Sequence, residues 1–145
     1  MKKFKQFFAE KTVLGLIEFF DVDGVGKIPS KLDSGNGAFN VIHGEDIKVK
    51  NDTVSFTLLG KRKTYPLEKT YKVKIGSIRD YTEERPVIRL DVNFAGGTYK
   101  DEPFGIDDRA DMGTEVLLTR RIMTDMNVMV NPARKYVVTT EYSLD

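Results

Sequence analysis

Apolar and polar residues alternate along much of this chain, and helical spacing is rare. Between positions 69 and 75, Tyr71, Val73 and Ile75 are interleaved with lysine and threonine, as a strand with one buried face requires. The same reading predicts strands at 46–49, 53–59, 69–78, 86–94 and 99–106. Asn51-Asp52, Gly60-Lys61-Arg62-Lys63 and Ala95-Gly96-Gly97 punctuate them. Upstream, Val13, Leu14, Leu16, Ile17, Phe19 and Phe20 form a β-rich run. A turn through Gly24 and Gly26 returns the chain along 27–32, which predicts a hairpin. Downstream, 115–118 reads as a short strand and 120–127 as a helix with Thr119 as its N-cap. Strands at 128–130 and 135–140 close the chain around Asn131-Pro132.

Only the first residues break this pattern. Phe4, Phe7 and Phe8 place one apolar stripe on a short helix, so residues 1–11 are set apart as an amphipathic arm. Such an arm packs on its own domain or docks on another subunit. The remainder, 12–145, is expected to be a single mainly β domain, a partly closed β-barrel with one or two short helices.

Composition narrows the function classes. With 145 residues the chain holds one domain with a real core. A net charge of +1 provides no basic field to recruit nucleic acid. The absence of cysteine excludes disulfides, a thiol nucleophile and Cys-ligated metal. No apolar run approaches the roughly 20 residues of a membrane span, and the lysine-rich start lacks a secretory core. A cytoplasmic protein without a membrane partner is expected. Asp21, Asp23 and Gly26 superficially fit a calcium loop. Val25, Pro29 and Leu32 occupy positions where that loop needs oxygen ligands, so the segment is read as a turn.

Chemistry concentrates at Asp33-Ser34-Gly35, directly after a predicted strand. Taken alone, the tripeptide is a common turn. It also suits a catalytic carboxylate: Gly35 lets the backbone turn beside the acid, and Ser34 offers a hydroxyl that can brace a facing loop. Two such acids about 3 Å apart cannot both ionise, so one serves as base on a water while the other polarises a carbonyl.

A second segment, Leu117-Leu118-Thr119-Arg120-Arg121-Ile122-Met123, lies near the C-terminus. An early Asp-Ser-Gly followed by a late apolar pair, arginine and short helix resembles the retropepsin-like aspartic peptidases. The chain is most similar to the bacterial and phage family labelled ATP-dependent zinc protease, itself retropepsin-like. Further residues carry that resemblance in order: Ser30-Lys31-Leu32 before Asp33, Ile42-His43-Gly44, and Arg85-Pro86-Val87-Ile88. Asp108-Arg109-Ala110-Asp111-Met112 and Val130-Asn131-Pro132 complete it. Departures are Thr119 in place of glycine, where a side chain is expected to crowd the site, Asn36-Gly37 after the motif, and Asn131 in place of aspartate.

The resemblance implies catalytic roles for Asp33, Ser34 and Gly35. It also implies structural support from Asp108, Arg109, Leu117, Leu118, Thr119 and Arg120. Asp108 and Arg109 would order the region beside the second loop, and Arg120 would be a buried or bidentate ion-pair partner. With one histidine and no phosphate-binding loop, neither zinc nor ATP is expected, and no cofactor. His43 is read as a structural hydrogen-bonding residue. Asp107, Asp108, Arg109 and Asp111 together read as a solvated loop with local ion pairs, and Lys61-Arg62-Lys63 as an exposed hairpin tip. The stretch from Lys61 to Leu67 is a candidate flap.

One Asp-Ser-Gly per chain makes a homodimer the condition for activity on a peptide or protein substrate. The alternative is a non-catalytic structural or assembly protein on the same fold, for example a phage virion component that binds other assembly proteins.

Overall fold

The computed structural model describes residues 12–74 and 82–140. The N-terminal arm therefore lies outside the described residues. The fold is mainly β, with twelve strands and one helix among those residues.

In chain order the strands are β1 (Thr12–Gly15), β2 (Ile17–Val22), β3 (Gly26–Asp33) and β4 (Asn40–His43). Then come β5 (Glu45–Lys50), β6 (Thr53–Leu58), β7 (Lys61–Pro66) and β8 (Lys69–Lys74). The last are β9 (Thr82–Phe94), β10 (Gly97–Asp107), β11 (Val116–Thr119) and β12 (Val128–Asn131). Helix α1 (Arg120–Met126) lies between β11 and β12.

Six strands hydrogen-bond into a ring in the order β10-β4-β11-β3-β2-β9, closed by pairing of β9 with β10. β8 adds to the outside of β9. Closure removes the exposed edges that an open sheet of this size would leave. Within the ring β3 runs parallel to β11 and β10 parallel to β4, while β11 and β4 are antiparallel. Parallel neighbours bring strand ends together. Asp33 at the end of β3 is in register with Thr119 at the end of β11, and Asp107 at the end of β10 with His43 at the end of β4.

The sequence periods explain the packing. Along β2, Phe20 and Val22 point inward, and along β3 Ile28 and Leu32 do so. Phe20 stacks on Phe94 at 4.3 Å between centroids, a geometry that adds to simple area burial. Helix α1 buries Ile122, Met123 and Met126 and ends at Asn127, which takes the left-handed conformation (φ 56°) and donates to Thr124 O. No described helix is long and apolar enough to cross a membrane.

Three sequence expectations need correction. The segment 61–66 is a strand rather than a hairpin tip; the tip is Leu59-Gly60, both at positive φ as a tight hairpin turn requires. β5, β6 and β7 form a separate three-stranded sheet. Lys63 Nζ donates to Gly24 O in the β2–β3 turn. That turn stands at the opposite end of β3 from Asp33, roughly 23 Å of strand away. This hairpin is therefore no flap over Asp33. Finally, the strand expected at 135–140 is absent, and 135–138 forms bends. The backbone amides of Val137 and Thr139 bond to the Glu18 carboxylate.

Candidate active site

Asp33 ends β3, and the next residues leave the sheet as a loop that rejoins it at Asn40. Its carboxylate accepts one hydrogen bond from its own loop, Gly35 N to Oδ1 at 3.3 Å, and its carbonyl accepts from Asn36 N at 3.2 Å. The side chain is half-buried, whereas Ser34 and Gly35 are exposed. No ion pair among the described residues includes Asp33. Beside it lies a depression of about 250 Å³ lined by Leu16, Leu32, Ser34, Val130 and Pro132 among others.

Gly35 does not adopt a positive φ, and a Cβ there would meet only Asp33 Oδ1 at an ordinary 3.7 Å. Nothing among the described residues demands glycine at this position. Gly37 differs, because a Cβ there would strike the Arg120 guanidinium lying across it.

The Leu117–Arg121 segment holds this loop from behind. Leu118 is buried, Leu117 half-buried, and both continue the parallel register with β3. Thr119 is wholly buried. Its hydroxyl donates to Ala38 O at 2.7 Å, and its amide donates to Asn40 Oδ1 at 2.9 Å. Thr119 is the N-cap residue of α1, as expected from sequence, with extended backbone, but its side chain makes no cap hydrogen bond. Arg120 N donates to Asn36 O at 2.8 Å, and Arg121 Nε to Gly37 O at 3.3 Å. The Arg120 side chain is exposed and enters no ion pair among the described residues, which corrects the expectation of a buried ion-pair partner.

Asp108 and Arg109 do not stand beside the Asp33 loop. They follow β10 at the opposite end of β11, where Asp107 meets His43. Arg109 is 7% exposed rather than solvated. Its Nε donates to Thr114 O at 3.0 Å and its Nη2 to Thr114 Oγ1 at 3.3 Å, fixing the entry to β11. Burial pulls its guanidinium below the usual arginine range, with Asp107 and Glu115 opposing. Asp108 Oδ1 accepts from Ala110 N at 2.9 Å, and Asp107 pairs with Arg85 at 3.0 Å.

His43, Glu45 and Asp108 bring three potential metal-ligand atoms within 4.8 Å of one another. The arrangement does not fit a divalent ion. His43 Nδ1 accepts the Arg109 backbone N–H at 2.7 Å, so the imidazole proton sits on Nε2, facing Glu45 Oε1 at 3.5 Å. A metal needs a free nitrogen lone pair. Here one nitrogen is already an acceptor and the other carries hydrogen.

Sequence reading missed a further pair. Glu102, buried on β10, faces Asp125 on α1. The two line a depression of about 410 Å³ with Arg89, Arg120 and Arg121, which touches the Asp33 loop at Gly37. Burial first, then Asp125, push the Glu102 carboxyl up to about 7, while Arg89 and Arg121 pull it down. Asn40, buried between Thr119 and Pro103 O, was also missed. The alternating pattern placed neither residue, because each serves a partner distant in sequence.

Comparison with known proteins agrees with this architecture. The model of the RimB-like family, described as retropepsin-like aspartic endopeptidase RimB, matches residues 26–141, more than half of the chain. Among solved structures, a Legionella pneumophila protein of unknown function, Lpg0085 (DUF785), is similar with a TM-score of 0.65 and 23% identity. The match covers 88% of this chain and 98% of that one. At that identity it shows a shared fold. No curated protein matches the sequence.

Proposed function

This chain belongs to the RimB-like family of retropepsin-like aspartic endopeptidases, and on that premise we propose that it hydrolyses peptide bonds with two Asp33 carboxylates meeting between two copies. The observation that carries the reading is the state of Asp33. It ends a ring strand on an outward loop, half-exposed, bonded only to its own turn among the described residues. The open space above Gly35 supports the same reading, since a close approach from outside would require glycine there.

Two copies related by a two-fold axis place the same loop on both sides of that axis. One proton then serves two carboxylates. The ionised Asp33 removes a proton from water, whose oxygen bonds to the scissile carbonyl carbon. The protonated Asp33 passes its proton to the carbonyl oxygen, giving a neutral diol. When the diol collapses, the C–N bond breaks, the first carboxyl gives its proton to the departing nitrogen, and the second carboxylate takes a proton back from a diol hydroxyl, leaving an amine, a carboxylic acid and the dyad with its one proton restored. Solvent exclusion would strengthen each transfer, and the depression beside Asp33 provides a wall for substrate.

Incubation with a peptide library from acid to neutral pH is expected to give cleavage that Asp33→Asn abolishes. Cleavage unchanged in that variant would refute the assignment of Asp33. A protein that stays monomeric and leaves the library intact would instead support the non-catalytic structural reading.

A further inference from the structure

Three consecutive residues hold three consecutive carbonyls of the Asp33 loop. Arg120 N takes Asn36 O at 2.8 Å, Arg121 Nε takes Gly37 O at 3.3 Å, and Thr119 Oγ1 takes Ala38 O at 2.7 Å. The three contacts differ in kind. The first is backbone to backbone and indifferent to side-chain identity. The second comes from an exposed side chain and is long for a hydrogen bond. The third is short, comes from a wholly buried residue, and depends on the identity of that side chain.

Thr119 is itself fixed. Its amide donates to Asn40 Oδ1 at 2.9 Å, and the Asn40 amide nitrogen donates to Pro103 O at 3.1 Å on β10. Asn40 has a single orientation that serves both partners: its oxygen must face the Thr119 amide and its nitrogen the Pro103 carbonyl. Ala38 O is thus anchored through Thr119 and Asn40 to the body of the ring. The other end of the same loop carries Asp33, which is in register with Thr119.

We infer that Thr119 is a positioning residue for Asp33: its hydroxyl fixes the far limb of the loop and thereby the direction in which the carboxylate is presented. The inference rests on the peptidase reading for its kinetic consequence, but its structural content stands apart from it. Arg120 and Arg121 leave the near carbonyls held whether or not the hydroxyl is present. Loss of the hydroxyl therefore frees one limb of the loop without unseating helix α1. A loop loosened in this way presents the acid in a spread of directions, which lowers the fraction of productive encounters more than it weakens substrate binding.

The experiment compares wild type with Thr119→Val, which keeps the shape and lacks the donor, and Thr119→Ser, which keeps the donor. Thr119→Ala replaces the valine variant if that one does not fold. Two readouts are taken on the full chain: Asp33-dependent peptide hydrolysis, and amide hydrogen exchange at Asn36 and Ala38, whose amides bond within the loop. Thr119→Val is expected to lower kcat about ten- to a hundredfold with KM changed less than about threefold, and to speed exchange at both amides. Thr119→Ser is expected to restore both. Wild-type rates and protection in both variants would overturn the inference, as would a serine variant as impaired as the valine one. Hydrolysis that survives Asp33→Asn would refute the peptidase reading instead. The exchange comparison would then decide the clamp: protection lost in valine and kept in serine supports it, and equal protection overturns it.

Discussion

Glu18 faces the core from β2, on the same side as Phe20 and Val22, and no ion pair among the described residues includes it. Five donors meet its oxygens instead: the amides of Gly15, Val137, Val138 and Thr139, and the Thr139 hydroxyl. One buried carboxylate thus fastens the C-terminal segment to the first strands. Glu18→Ala strands several buried N–H groups at once, so a loss of about 3–5 kcal/mol is expected in urea denaturation, with the slope unchanged. A loss below about 1 kcal/mol would show that other contacts hold the segment. A charged residue at an inward position of a β-rich run was a visible signal of this role. Its partners, about 120 positions downstream, were not. Asp33 was legible for the opposite reason, since its meaning lies in adjacent residues and in the order of two motifs. Thr119 was legible as a departure but not as a brace, because the carbonyl it serves is 81 positions away.

Between elements, two junctions carry distinct consequences. β10 meets α1 through Glu102 and Asp125, where the Glu102 carboxyl is raised from its ordinary 4.5 to about 7. The folded state therefore holds a proton that the unfolded chain releases. This contribution to stability is full below about 4.5 and is lost as pH rises through about 7. Denaturation midpoints are expected to fall between pH 5 and pH 8, with Glu102→Gln flattening the trend and gaining stability at the upper end. A wild-type trend that persists undiminished in the glutamine variant would place the pH dependence elsewhere.

The second junction is between β4 and the β5–β7 sheet. A Cβ on Gly44 would lie 2.5 Å from Ile106 Cγ2 and 2.9 Å from Phe56 Cδ2, with Phe56 stacked on Tyr65. Gly44→Ala is expected to cost about 1–3 kcal/mol by overpacking, measured as a lowered thermal midpoint. An unchanged midpoint would mean that Phe56 shifts freely. Strand periodicity predicted most ring strands, yet it gave no sign that β5–β7 stands apart as its own sheet. That separation follows from which strands fail to pair, and pairing across the chain leaves no local trace. The short strand β4 escaped for a related reason. All four of its residues are buried, so it shows no alternation.

At the scale of the whole molecule, ring closure sets Asp33 and Thr119 side by side at one strand end and His43 and Asp107 at another. The first pair opens outward on a loop with an exposed Ser34-Gly35. The second is closed by Arg109 and Arg85. The proposed function has the first pair meet a second copy, since a single copy supplies a single carboxylate there. The central claim is therefore about two chains: both Asp33 residues act on one bond. Wild type and Asp33→Asn, mixed in equal amounts and allowed to exchange subunits, test it most directly. If both acids are needed, hydrolysis should fall to about a quarter of that of wild type at the same total concentration, because only pairs of wild-type chains remain active. Activity of about a half would contradict the account, since each wild-type chain would then be working alone.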